Sequence, residues 1–349
     1  MAERKRRVYV SHAGGTVGMR RTASGWAPER GFLEPLLRGL PEMTNEAIPE
    51  IAFHEHDPLL DSSNMTPAEW QELAEDVARR YGEFDGFVIL HGTDTMAYTA
   101  SALSFMLKDL GKPVVVTGAQ IPLCEVRNDA RRNLIDALVV AATSDIPEVL
   151  LVFGGKILRG NRAVKVSAES LDAFDSPNYP LIGRAGTRIE IDRARVRPKP
   201  DSGKGLRVRR TGSARVAALR LFPGIAAPIV ANILQPPLQG LVLECYGVGN
   251  APDRDAALLG AIREATSRGV VVAVVSQCRE GMVELGDYAA GSALARAGCI
   301  GARDMTTEAA MAKLFHLFEQ KRPPEEVKRR MGVDLRGELT QFATDGRIS

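Results

Sequence analysis

Four short apolar runs recur through the first half of the chain, and each ends at a glycine-bearing turn. Val8 to Val10 leads to Gly14-Gly15, Asp85 to Leu90 to His91-Gly92, Pro113 to Val116 to Thr117-Gly118, and Val149 to Phe153 to Gly154-Gly155. Unbroken apolar runs of this length suit central strands of a parallel sheet covered on both faces. Helical patterns lie between them. Thr66-Pro67 with Glu69 following predicts a helix start, with Thr66 as cap and Pro67 in the first turn. Met96, Ala100, Leu103, Met106, Leu107 and Leu110 recur close to helical spacing over 95–110. Alternating β and α elements predict a doubly wound domain with its ligand site at the carboxyl ends of the strands.

The pattern changes near residue 186. Arg193, Arg195, Arg197, Lys199, Lys204, Arg207, Arg209 and Arg210 crowd a stretch broken by Pro198, Pro200, Gly203 and Gly205. Without interleaved aromatics this run does not resemble a nucleic-acid groove, and it is read as a solvated linker with edge-strand character. Beyond it, strands are expected at 215–222, 240–245 and 270–275, and helices at 226–234, 255–267, 292–297 and 306–320. The expected fold class is therefore α/β: a large N-terminal doubly wound, mostly parallel sheet domain (1–190), a linker (191–213) and a smaller C-terminal α/β domain (214–349).

Composition narrows the function classes. The 349 residues carry 45 Lys plus Arg against 43 Asp plus Glu, a net charge of +2 that gives no reason to expect a nucleic-acid partner. No apolar stretch approaches the ~20 residues of a membrane span. The basic N-terminus lacks the apolar segment of a secretory signal. Cys124, Cys245, Cys278 and Cys299 are widely spaced, so free, mostly buried thiols and a cytoplasmic location are expected. In His54-Glu55-His56-Asp57 the histidines alternate like strand neighbours. No further ligand stands at recognisable zinc spacing, so polar residues at a strand end and no metal are expected.

Neither a Walker A sequence, nor G-x-G-x-x-G, nor G-x-S-x-G is present, which removes the usual signals of nucleotide and serine-hydrolase chemistry. What remains is a pair of hydroxyl-bearing strand ends, Gly14-Gly15-Thr16 and His91-Gly92-Thr93-Asp94-Thr95. Glycines there let the backbone turn sharply and bring amide N–H groups near a ligand. Each motif alone is also a common capped strand-to-helix turn. A threonine hydroxyl attacks only when a partner takes its proton. With no histidine placed to do so, a lysine kept neutral by burial or charge coupling is the natural substitute, and Lys165 lies just beyond the fourth strand.

These residues resemble the bacterial-type L-asparaginases, and more closely the cytoplasmic type I members. The likeness rests on Gly14-Gly15-Thr16-Val17-Gly18-Met19, His91-Gly92-Thr93-Asp94-Thr95-Met96 and Asp61-Ser62-Ser63-Asn64-Met65-Thr66. It is supported by Val116-Thr117-Gly118-Ala119-Gln120-Ile121-Pro122, Arg159-Gly160-Asn161-Arg162, Tyr246 to Pro252 and Leu335 to Leu339. The resemblance implies hydrolysis of the side-chain amide of L-asparagine to L-aspartate and ammonia, without metal or organic cofactor. By resemblance Thr16 is the nucleophile, Thr93, Asp94 and Lys165 form a second hydroxyl relay, and Gly15, Asp61, Ser62, Ser63, Thr93, Asp94 and Ala119 hold the substrate. A carboxylate for the ammonium, and hydroxyl or N–H donors for the carboxylate and oxyanion, are what a zwitterionic amide requires.

The nucleophile loop carries Trp26, which has no hydroxyl, where some relatives position a tyrosine against the nucleophile; Tyr288 resembles the tyrosine that cytoplasmic relatives supply from a neighbouring subunit. A homodimer or homotetramer is expected on that basis, with Tyr288 alternatively a mere helix start. Glu244 and Val164 stand where type I members with a regulatory asparagine site have an arginine and a threonine, so homotropic activation is not expected. Two alternatives remain: the amidase subunit of a tRNA-dependent amidotransferase, and a non-catalytic amino-acid sensor on the same scaffold.

Overall fold

The apolar runs become the inner strands of an eight-stranded sheet. The structure, a computed structural model, describes residues 4–23, 25–201, 205–285 and 289–341. In chain order the sheet and its helices are β1 (Arg7–Gly14), β2 (Glu50–Leu60), α1 (Pro67–Arg80), β3 (Gly86–Leu90), α2 (Met96–Met106), β4 (Val114–Thr117), α3 (Ala130–Thr143), β5 (Val149–Phe153), β6 (Lys156–Arg159), β7 (Gly183–Ala185) and β8 (Ile189–Ile191). The strand order is β8-β7-β6-β5-β4-β3-β1-β2. The first five strands run parallel, and β6 to β8 continue as antiparallel strands.

Every residue of β3, β4 and β5 is buried, as expected for strands covered on both faces. From β1 the chain crosses to one side, toward β2; from β3 it proceeds to the other, toward β4. This 2-1-3-4-5 order makes the β1/β3 carboxyl ends the topological switch point, where α/β sheets form their ligand crevices.

Local sequence explains the elements around it. Thr66 caps α1 by accepting from the Ala68 N–H, and the Glu69 carboxylate accepts from the Thr66 N–H in return. The helix predicted over 95–110 stops at Met106. Leu107–Lys108 pairs instead with Arg207–Val208, and Asp109 turns into the left-handed region at φ 62°. The edge strand β2 spans eleven residues where only a polar strand end was expected.

The chain divides into two compact units, residues 1–176 with 180–209, and 177–179 with 210–349. The stretch read as a linker, 191–213, is thus divided between them. The second unit holds a four-stranded parallel sheet in the order β9 (Val216–Arg220), β10 (Gly240–Cys245), β11 (Val271–Ser276), β12 (Ile300–Gly301). Its helices are α4 (Ala227–Ile233), α5 (Ala256–Ser267), α6 (Ala289–Arg296), α7 (Thr307–Glu319) and α8 (Pro324–Met331). Alternate strand residues feed two cores. Leu241, Leu243, Val272 and Val274 pack with Leu258 and Ile262 of α5, while Val242, Val271, Ala273 and Val275 pack with Leu314 and Leu317 of α7 and Met331 of α8.

All four cysteines are free, but only Cys245 and Cys299 are buried; Cys124 and Cys278 are exposed, against the expectation of mostly buried thiols. Among the described residues no helix is long and apolar enough to cross a membrane.

Candidate active site

Three loops at the switch point touch through glycines. Gly15, at φ 87°, lies so close to the loop after β3 that a Cβ on it would stand 2.3 Å from the Gly92 nitrogen. Gly92 in turn leaves room for Ser62: a Cβ there would meet the Ser62 Oγ at 2.4 Å. Only glycine permits backbones to approach this closely. The Gly15 N–H also donates to the Leu60 carbonyl at the end of β2 (3.1 Å), and the Thr95 hydroxyl donates to the Ser62 carbonyl (2.8 Å). The segments carrying Thr16, Ser62 and Thr93 are therefore brought together from β1, β2 and β3.

Each candidate side chain then has a definite setting. Thr16 is half-buried and opens a single 3-10 turn, Thr16–Gly18, whose Val17 carbonyl accepts from the Leu123 N–H. Asp61 caps the turn Ser62–Asn64 by accepting from the Ser63 N–H; Ser62 is buried, while Asp61 and Ser63 are exposed. Thr93 is buried and Asp94 exposed. Lys165, on the short strand Val164–Lys165 beyond β6, donates to the Thr93 Oγ1 at 2.9 Å and to the Asp94 Oδ1 at 2.6 Å. Ala119, fully buried, follows Gly118, which packs against the His91 carbonyl at the end of β3. Tyr288 lies outside the described residues.

The geometry refines one expectation. Lys165 is held as a donor against the Asp94 carboxylate rather than sequestered in an apolar pocket, because both side chains keep access to solvent. The Thr93 hydroxyl accepts from Lys165 and donates its own proton to the Gln120 Oε1 (3.0 Å), so its lone pairs and proton are both directed.

Four residues that sequence reasoning left without a role hold this arrangement. Gln120 orients the Thr93 hydroxyl and donates through Nε2 to the Ala168 carbonyl (2.9 Å). Asp129 accepts from the Gln120 and Ile121 amides, and Asn133 of α3 donates to the Gly118 carbonyl, so the loop bearing Ala119 is fixed from below. The signal for Gln120 was its place in the Val116-to-Pro122 motif at the end of β4. His91 is fully buried; its Nδ1 lies 2.7 Å from the Gly92 carbonyl and its Nε2 2.9 Å from the Thr99 hydroxyl, which also accepts from the Trp70 indole N–H (3.0 Å). A carbonyl only accepts, so Nδ1 carries the hydrogen and Thr99 donates to Nε2. Burial lowers the His91 pKa to about 4 and keeps the ring neutral. His91 thus pins the Gly92 carbonyl inward. In a trans peptide the following N–H, that of Thr93, points the opposite way.

The chain is similar to known proteins over most of its length. Residues 7–197 match the asparaginase N-terminal domain family, and residues 215–331 match the glutaminase/asparaginase C-terminal domain family. L-asparaginase 1 of Escherichia coli K12 is 48% identical over 336 residues, spanning 96% of this chain and 98% of that one. The crystal structure of L-asparaginase I from Vibrio cholerae superposes with a TM-score of 0.89 at 44% identity, covering 97% of this chain and all of its own. More distant is a glutamyl-tRNA(Gln) amidotransferase subunit of Pyrococcus horikoshii, 34% identical over 96% of this chain and 77% of its own. The chain belongs to the bacterial-type L-asparaginase family, in its type I branch.

Proposed function

We propose that this chain is an L-asparaginase that hydrolyses the side-chain amide of L-asparagine with Thr16 as nucleophile. The observation that carries the reading is the contact of Lys165 with both Thr93 and Asp94, one residue from the point where the Gly15 and Gly92 backbones meet. In this reading the Thr16 Oγ bonds to the amide carbon, the C–N bond breaks, and the nitrogen leaves as ammonia carrying the threonine proton. Water then cleaves the ester, releasing aspartate and restoring the hydroxyl.

The surrounding groups divide the remaining work. Asp94 takes the substrate ammonium. Lys165, in contact with both Asp94 and Thr93, moves protons through the Thr93 hydroxyl. The amide N–H groups of Thr93 and Ala119 face the developing oxyanion, and Ser62 with its turn receives the α-carboxylate. Gly15, Asp61 and Ser63 complete the substrate contacts. Tyr288 comes from a neighbouring protomer of a homodimer or homotetramer, a role supported by resemblance alone. The exposed Cys124 and Cys278 thiols suit a reducing, cytoplasmic location.

Glu244 already accepts from the Thr307 hydroxyl (3.0 Å) and faces Arg220 (3.5 Å), an arrangement that supports a chain without homotropic activation. The amidotransferase reading rests on a relative at 34% identity against 48% for the asparaginase. Ammonia release from free L-asparagine by the purified chain tests the proposal against that reading and against a silent sensor. Hydroxylamine, by capturing an aspartyl ester as the hydroxamate, separates covalent attack from direct attack by water.

A further inference from the structure

Away from the strand ends, a second group of titratable side chains joins the edge strand to its covering helix. His54 and His56 stand two residues apart on β2 and so share one face of the sheet. Asp76 of α1 faces them: one ligand atom from each of the three residues lies within 4.8 Å of the others. His56 Nε2 is 3.7 Å from Asp76 Oδ2. Two ligands at tetrahedral zinc distances stand about 3.3 Å apart, so His56 and Asp76 are already near that spacing, while the widest pair must close by up to about 1.5 Å.

The surroundings already have the form of an outer coordination shell. His56 Nδ1 lies 3.0 Å from the Glu72 Oε1, and a carboxylate can only accept, so Nδ1 carries the hydrogen and Nε2 presents its lone pair. Asp76 Oδ1 accepts from the Tyr9 hydroxyl (3.1 Å) and from Arg79 (3.2 Å), which leaves Oδ2 to face the histidines. The Ser11 Oγ sits 2.8 Å from His56 Nε2 and 2.9 Å from Asp76 Oδ2. With the hydrogen of His56 on Nδ1, that single hydroxyl proton faces two acceptor atoms. His56 and Asp76 are buried while His54 is exposed, which gives a built interior and an open entrance.

We propose that His54, His56 and Asp76 bind one divalent transition-metal ion of the zinc class, with the Ser11 hydroxyl or water as the fourth ligand. The third ligand comes from the next helix rather than from the His54-to-Asp57 segment, which is why no zinc spacing was visible along the chain. Such an ion would staple β2 to α1 and takes no part in amide hydrolysis.

The test uses the full chain, free of any histidine tag and stripped with a chelator, titrated with zinc(II) alone by calorimetry and followed by thermal unfolding. The expected result is one ion per chain and a higher unfolding temperature, with Glu72→Gln weakening affinity roughly 10–100-fold and His54→Ala weakening it further. Because His54 is exposed, that substitution leaves the fold in place. Absence of saturable binding at one ion per chain, or affinity unchanged in His54→Ala, would overturn the proposal.

Discussion

Gly15 and Gly92 are in backbone contact, and that contact is what joins the Thr16 loop to the Thr93 loop. Gly15→Ala would place a methyl 2.3 Å from the Gly92 nitrogen on a backbone at φ 87°. Strain of about 1–3 kcal/mol must then separate the two loops. The expected outcome is a folded protein with a lowered unfolding temperature and a far larger loss of ammonia release, measured by thermal unfolding beside a turnover assay.

Lys165→Met removes the donor to Thr93 and Asp94 while keeping the length of the side chain. If Lys165 moves protons, turnover should fall by roughly 10²–10⁴-fold. Stability should change little, because Asp94 is largely exposed and such pairs contribute about 0–1 kcal/mol. Lys165→Arg keeps the charge but cannot readily give up its proton, so it should be nearly as inactive. Steady-state kinetics with denaturant unfolding separates the two effects.

His91 predicts a pH dependence of stability. Its folded pKa, about 4, lies below the ordinary histidine value of 6.5 because burial disfavours the charged ring. The unfolded chain therefore binds a proton at a pH where the folded chain does not. The stability His91 contributes is fully present above pH 6.5 and declines as pH falls from about 6.5 toward 4, by on the order of 3 kcal/mol. Urea unfolding at several pH values should show that slope. In His91→Gln, whose side-chain amide can still donate to the Gly92 carbonyl, it should flatten.

A fully buried ion pair predicts a different response in the second unit. Lys313 Nζ stands 2.5 Å from the Glu338 carboxylate and donates to the Met331 and Val333 carbonyls, while Glu338 accepts from the Leu335 and Arg336 amides. Lys313→Met strands a buried carboxylate and should cost about 3–5 kcal/mol in denaturant unfolding. Adding Glu338→Gln, which removes the orphaned charge, should recover part of that loss.

Much of this was legible in the chain because the relevant signals are local. The unbroken apolar runs that became β3 to β5, and the Thr66-Pro67-Glu69 cap of α1, need no partner to be recognised. The edge strand β2 was harder to see: with one flank open to solvent, most of its residues are polar or half-exposed, and no apolar run marks it. Helix α8 was missed for a similar reason, since it buries only Val327 and Met331 among charged residues. The threonines and Lys165 stood out through motifs at strand ends. Gln120, Asp129 and the Trp70–Thr99–His91 chain act through side chains far apart in sequence, and only folding brings them together.

The most direct measurement is ammonia release from L-asparagine by Thr16→Ala beside the unsubstituted chain, each shown to be folded by its thermal transition. Steady turnover is predicted for the unsubstituted chain, with loss of nearly all of it in Thr16→Ala at an unchanged unfolding temperature. Near-normal turnover in a well-folded Thr16→Ala would contradict the assignment of Thr16 as nucleophile.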